Sequence, residues 1–309
     1  ITVGAAAQLA FGQQPTNSTA NVAITPAPTV RILDAGGNLT ASTANVTVAI
    51  GANPGPGVLG GTLTVAASAG VASFSNLTID TAGNGYTLTA ASIGLTGTSS
   101  NAFNVACAAS VVTNGNDSGA GSLRQIIADA CTGSTITFAG GVSSVGLTTA
   151  QLLINKNLFI DGGAGVTVTR IAGSPNFRIF NVAAGNTAVF DSLVISNGSV
   201  AGDGGGILNA GNLSIVDAVI SGNASTSGNG GGGIANAGTL QVDRTTIANN
   251  QAPLAGGGVL QISIGSAILS NCTLSGNSAQ QGGAAANQTL TGDASMAFSN
   301  CTISGNSAS

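Results

Sequence analysis

The sequence lacks histidine, glutamate and tryptophan, and only 5% of its 309 residues carry charge. Ordinary soluble proteins carry about 25%. All ten acids are Asp, and the six cations are Arg31, Arg124, Lys156, Arg170, Arg178 and Arg244. Without His or Glu, an acid–base active site has few parts to draw on. A net charge of −4 with so few cations lacks the basic footprint that phosphate neutralisation needs, which argues against nucleic-acid partners. No apolar run reaches ~18 residues, so no membrane-inserting helix is expected. Nine Phe and one Tyr leave few aromatic platforms for stacking sugars. The chain opens at Ile1 with neither Met nor a secretory signal, and it reads as a processed product or part of something longer.

What fills the sequence instead is Gly (48 residues), Ala, Ser, Thr, Asn and branched aliphatics. This mixture is poor in helix formers and rich in β-branched and turn residues, and predicts an all-β protein. Over residues 1–105, short alternating runs (Val30–Ile32, Val46–Ile50, Leu63–Val65, Tyr86–Leu88) are separated by turn clusters at 34–38, 53–57, 68–70 and 81–85. Period-two strands with regular turn punctuation predict a β-sandwich.

Asp80-Thr-Ala-Gly-Asn-Gly-Tyr86 resembles the corner before strand F of immunoglobulin-like domains, where a Tyr hydroxyl bonds to upstream backbone. The phrases "AAAQLAFGQQPTN", "ITPAPTVRILDAGGNLT", "SNLTIDTAGNGYTLTAAS" and "SNAFNV" resemble, in that order, a bacterial immunoglobulin-like repeat of tandem cell-surface proteins. The resemblance implies that Ile1-Thr-Val3 is the tail of a preceding repeat.

From residue 106 the text changes. Ser122 with Gln125 fits a capping box, and Leu123, Ile126, Ile127 and Ala130 share one helical face, predicting a capping helix at about 122–131. A repeat follows. Ile220/Asn223, Ile247/Asn250, Leu274/Asn277 and Ile303/Asn306 recur at intervals of 27, 27 and 29 residues, and Ile195 fits one unit earlier without the Asn. Two positions before each aliphatic lie Leu193, Ala218, Thr245, Cys272 and Cys301. Three further back lie Phe190, Ile215, Val242, Leu269 and Phe298. Glycine runs (204–206, 230–233, 256–258, 282–283) precede an amide at Asn209, Asn236, Gln261 and Asn287. A strand-rich unit of this period predicts a parallel β-helix over 106–309, with like residues stacked about 4.8 Å apart. Apolar columns fill its interior, and corner amides bond to the coils above and below. At ~27 residues per coil, roughly seven coils make a rod near 35 Å long.

"GGGI…N…IxxN" resembles the short motifs of polymorphic outer-membrane adhesins, with Ile or Leu where Phe is usual. "NDSGAGSLRQIIADA…TITF" is similar to the entry segment of bacterial surface proteins with pectin-lyase-like right-handed β-helices. The resemblance implies a right-handed coil and an extracellular setting.

Many such helices cleave polysaccharides, which requires clustered acids, or an acidic Ca²⁺ site with an Arg base. The coil carboxylates are Asp161, Asp191, Asp203, Asp217, Asp243 and Asp293. Asp191 and Asp243 share a column two coils apart, and Asp217 pairs with Arg244 on the next coil as a surface ion pair. Asn114, Asn116 and Asp117 form a turn into the helix and lack the acidic density of a Ca²⁺ loop. Cys107 and Cys131 flank the helix and are expected to be disulfide-linked. Cys272 and Cys301 are expected to be free buried thiols on adjacent rungs, too far apart in Cβ for an easy bond. No cofactor, metal or catalytic residue is implied. The expectation is an extracellular structural or adhesive surface protein, part of a stalk or filament that self-associates through solenoid ends. The alternatives are a polysaccharide lyase or hydrolase and a non-catalytic β-helix that binds host or surface glycans.

Overall fold

The computed structural model describes residues 3–108, 110–262, 265–288 and 294–308. Asp293 and the first two residues of the expected repeat tail lie outside these. Half of the chain is strand and 2% is helix. It divides into two compact units, Ile1–Ala109 and Ser110–Ser309.

The first unit is a set of small sheets around one core. Ala6–Gln13, Thr29–Asp34 and Val71–Ser73 form one antiparallel sheet. Thr98–Ser99, Leu88–Ala91, Asn45–Ile50 and Thr64–Ala66 form another. Alternation decides which side faces in: along Asn45–Ile50, Val46 and Val48 are buried while Asn45, Thr47 and Ala49 are exposed. Tyr86 sits fully buried among Ile79, Leu88 and Phe103. Its hydroxyl donates to the Thr81 carbonyl at 2.9 Å, the corner that the Asp80–Tyr86 phrase suggested. A Cβ added at Gly55 or Gly57 would come 2.7 Å from that hydroxyl, which explains the glycines of the "NPGPG" turn.

The second unit is a parallel β-solenoid of about seven turns. One face stacks Asn212–Val216, Thr239–Asp243, Ser266–Ser270 and Ser295–Ser299 in unbroken register. A second stacks Val219–Ser221, Thr246–Ala248, Thr273–Ser275 and Thr302–Ser304. A third runs from Leu152–Ile154 through Phe180–Val182, Ile207–Asn209, Ile234–Asn236 and Val259–Gln261 to Ala285–Asn287. Coil length varies while register on these three faces does not, because the extra residues fall in turns or in local shifts such as those at Asp161/Val166 and Val200/Ala201.

The predicted apolar columns exist and extend further back than the repeat is visible. One contains Val145, Val168, Ile195, Ile220, Ile247, Leu274 and Ile303. Another contains Ile136, Ile160, Phe190, Ile215, Val242, Leu269 and Phe298. Each fully buried aliphatic contributes about 1.5–3 kcal/mol of transfer free energy. Stacking in fact begins before the helix, where Val111–Val112 pairs in parallel with Ser134–Phe138.

Helix α1 spans Leu123–Asp129, shorter than expected, and buries Leu123 and Ile127 in the solenoid core. Ser122 accepts from the Gln125 N–H, but the reciprocal half of the capping box is missing. The Gln125 side chain donates to Asp129 instead. Lys156 Nζ donates to the carbonyls of Ala128 and Ala130, satisfying the helix C-terminus.

The glycine runs serve two needs. The first αL corner of each run falls on Gly204, Gly231, Gly256 and Gly282. The next glycine has no room for a side chain: a Cβ on Gly232 would lie 2.3 Å from the Gln251 carbonyl oxygen and 2.5 Å from that of Gly257.

Candidate functional site

The chemistry-bearing side chains of the solenoid are arranged as ladders. Asn223, Asn250 and Asn277 are buried at consecutive corners. The Asn223 N–H and Nδ2 both donate to Asn250 Oδ1 at 3.0 Å, and Asn250 does the same to Asn277. Asn277 continues to Asn306 at 2.9 Å. Each Nδ2 also reaches the carbonyl of the aliphatic one coil back: Ile195, Ile220, Ile247 and Leu274. At the top, where the Asn is absent, the Gly198 N–H donates to Asn223 Oδ1. A second ladder runs from Asn209 to Asn236 to Gln261, with 2.6 Å bonds. It loosens at Asn287, which is exposed and turns to the Ala294 carbonyl.

Two corner columns have left-handed backbone. Ser192, Asp217, Arg244, Asn271 and Asn300 form one, with φ between 47° and 55°. Asn197, Gly222, Asn249, Gly276 and Gly305 form the other. Asn, Asp and Gly tolerate αL best, so an arginine there is unusual. Arg244 is anchored: Nε and Nη2 donate to the two Asp217 oxygens at 2.7 and 2.8 Å, and Nη1 donates to Asp243. These hydrogen bonds lower the Asp217 carboxyl and raise the guanidinium. The ladder continues outward, with Asn271 donating to Asp243 and Asn300 to Asn271.

On the later coils, the residue after the αL corner does more than fill space. The Ala218 N–H donates to Thr245 Oγ1 at 3.3 Å, and the Cys272 N–H to Cys301 Sγ at 3.4 Å. Both sulfurs donate to nearby carbonyls, Cys272 to Ser270 at 3.1 Å and Cys301 to Ser299 at 3.3 Å. Thr245 and Cys301 thus accept the N–H of the column residue one coil back, which Leu193 and Ala218 at the same position cannot do. Cys272 and Cys301 are both free, but only Cys272 is buried as expected, which pushes its thiol up to about 11; Cys301 is half-buried. Cys107 and Cys131 are disulfide-bonded.

Of the coil carboxylates, only Asp161 and Asp191 are direct register partners on adjacent coils. Asp191 and Asp243 share a column, separated by Val216. Asp203 accepts the backbone N–H groups of Asn229 and Gly230. Among the described residues, no group of three or more Asp or Cys side chains could hold a metal ion. Among them, too, no helix is long and apolar enough to cross a membrane.

The sequence reading took Asp117 for a turn residue and missed the ion pair that pins the helix. Arg124 bonds to Asp117 Oδ1 at 2.5 Å and to the carbonyls of Ala150 and Gln151. Burial alone would raise the Asp117 carboxyl, but Arg124 and Thr149 outweigh it and lower it. A lone Asp seven residues before an Arg carries no periodic signal. Asn114 shapes the same turn through the Ala120 carbonyl and the Asn116 N–H.

No protein-family model matches the chain, and no curated protein matches it.

Proposed function

We propose that the chain is an extracellular structural or adhesive surface protein of bacterial type, a subunit or fragment of a stalk or filament, and not an enzyme. The observation that carries this reading is the employment of its carboxylates. Asp117, Asp203, Asp217 and Asp243 are engaged by Arg124, backbone N–H groups or Arg244. A general acid or base needs a partner group and a free path to substrate. Here the polar side chains mostly hold coil to coil.

Assembly through solenoid ends has a physical motive. A strand edge with unpaired backbone favours another strand. The other end of the solenoid core is occupied by α1, so a head-to-tail fibre would have to displace that helix or pack around it. With 5% charged residues, little repulsion opposes association. Self-association or further coils of the same chain are therefore the favoured partners, with no nucleic acid and no membrane insertion.

Surface biotinylation and negative-stain microscopy of the intact gene product test this. Surface-exposed chains in fibres or stalks are expected. Purely intracellular protein would contradict it. The polysaccharide-enzyme alternative predicts turnover of acidic polysaccharide that is abolished by Asp217→Ala.

A further inference from the structure

One concave place in the solenoid unit is left unexplained by its packing. A cleft of about 470 Å³ opens between Thr137–Ser143 and Asp161–Val166. Sites for small ligands begin at about 300 Å³. Gly140, Gly141, Gly162, Gly163 and Gly165 line it. Unlike Gly232, four of these are not forced by crowding: a Cβ added at Gly140, Gly141, Gly163 or Gly165 would meet nothing within 4 Å. Gly141, Gly163 and Gly165 have positive φ that favours glycine, whereas at Gly140 the backbone does not call for it. The result is a wall of bare amide and carbonyl groups open to solvent.

Three side chains add chemistry. Phe138 lines it from a side chain that packs on the solenoid core, and Ser143 adds a hydroxyl. Asp161 Oδ1 accepts the Gly163 N–H at 2.8 Å, and among the described residues its second oxygen accepts nothing. Asp191 is the register partner of Asp161 on the next coil, so a second carboxylate stands about one strand spacing, ~4.8 Å, along the column. No Lys or Arg lines the cleft.

We propose that this cleft binds one sugar ring of a glycan, and that the ring is an uncharged or amino sugar and not a uronic acid. The free Asp161 oxygen accepts from a ring hydroxyl or ammonium. The exposed glycine backbone and the Ser143 hydroxyl pair with neighbouring hydroxyls. A uronate would bring a third carboxylate to a place with no cation, at a Coulombic cost. The idea draws on the surface-protein reading only for a setting in which glycans are met.

The test is calorimetric titration of the full chain with oligomers of glucosamine, glucose and galacturonate, at physiological salt. Saturable binding of the glucosamine and glucose oligomers is expected, with galacturonate at least about tenfold weaker. Asp161→Asn should weaken glucosamine binding about tenfold or more, as loss of a charged hydrogen bond does. Gly140→Phe, placed where space is open, should abolish binding of both with an unchanged circular dichroism spectrum. Galacturonate binding as tightly as glucosamine, binding that survives both variants, or no binding of any oligomer would overturn the proposal. Any of these outcomes leaves surface location, measured separately by biotinylation, untouched.

Discussion

Asn250 shows what a single side chain does in a stacked coil. It takes two donors from Asn223, gives one to Asn277 and one to the Ile220 carbonyl, and is fully buried. Truncation would strand the Asn223 N–H and the Ile220 carbonyl out of reach of water. Each buried polar group left unsatisfied costs about 1–3 kcal/mol. Asn250→Ala should therefore destabilise the solenoid by about 2–4 kcal/mol in urea unfolding, and Asn306→Ala, half-buried on the last coil, by less. Cys272 makes a second case. Its thiol, raised to about 11 by burial, stays protonated through neutral and mildly alkaline pH. Iodoacetamide at pH 8 should modify Cys301 well before Cys272, read by peptide mass. Equal rates would mean that Cys272 is not buried. The free state of both thiols follows from ~4.8 Å stacking, which the repeat alone revealed. Their hydrogen-bonding duty did not, because Ala218, Thr245 and Cys272 look unlike one another until they share a corner.

At the scale of turns and strands, glycine divides into two kinds. Gly232 sits where the neighbouring backbone leaves no room for a Cβ, whereas Gly140 faces open space. Gly232→Ala should sharply lower the unfolding temperature of the solenoid, and Gly140→Ala should leave it nearly unchanged. Differential scanning calorimetry separates them. The turn Asp34–Asn38 supplies a pH dependence for the first unit. Asp34 accepts from the N–H groups of Gly4, Asn38 and Gly36 and from the Asn38 side chain. These bonds, Gly4 first, hold its carboxyl at about 2, below the ordinary 3.8. A depressed folded-state value means that this stabilisation is complete above pH 3.8 and fades as pH falls toward 2. Acid unfolding followed by fluorescence of the single Tyr86 should shift to higher pH in Asp34→Ala. An unshifted curve would show that Asp34 is not linked to folding. Strands and turns were legible here because alternation and punctuation are local. The capping helix was legible from its apolar face, but its anchors were not: Lys156 acts across 26 to 28 residues of chain, and the Asp117–Arg124 pair, only seven residues apart, falls on no repeat.

For the whole molecule, order rests on repetition. Matching residues of successive coils touch, so the solenoid's stability is a sum over coils and their neighbours. The last four coils announced themselves through Asn and Gly spacing. The first coils lack those markers and were visible only as apolar runs, yet Ile136 and Val145 stand in the same columns as Phe298 and Ile303. The cleft between 137–143 and 161–166 lies in this irregular part, where no repeat flags a departure from pattern. Function was the least legible level, because the polar residues that recur most are those that bind coil to coil.

Distance along one outward column tests the winding most directly. Thr135, Phe159, Val189, Ser214, Gln241, Ile268 and Ala297 are register partners on successive coils. With Cys272 and Cys301 replaced by Thr, spin labels would be placed at 135 and, in turn, at 214, 241, 268 and 297. Pulsed electron paramagnetic resonance should give separations that grow by about 4.8 Å per coil, from roughly 14 Å to roughly 29 Å. Separations that fail to rise in equal steps would contradict the stacked coil, and with it every contact argued from register.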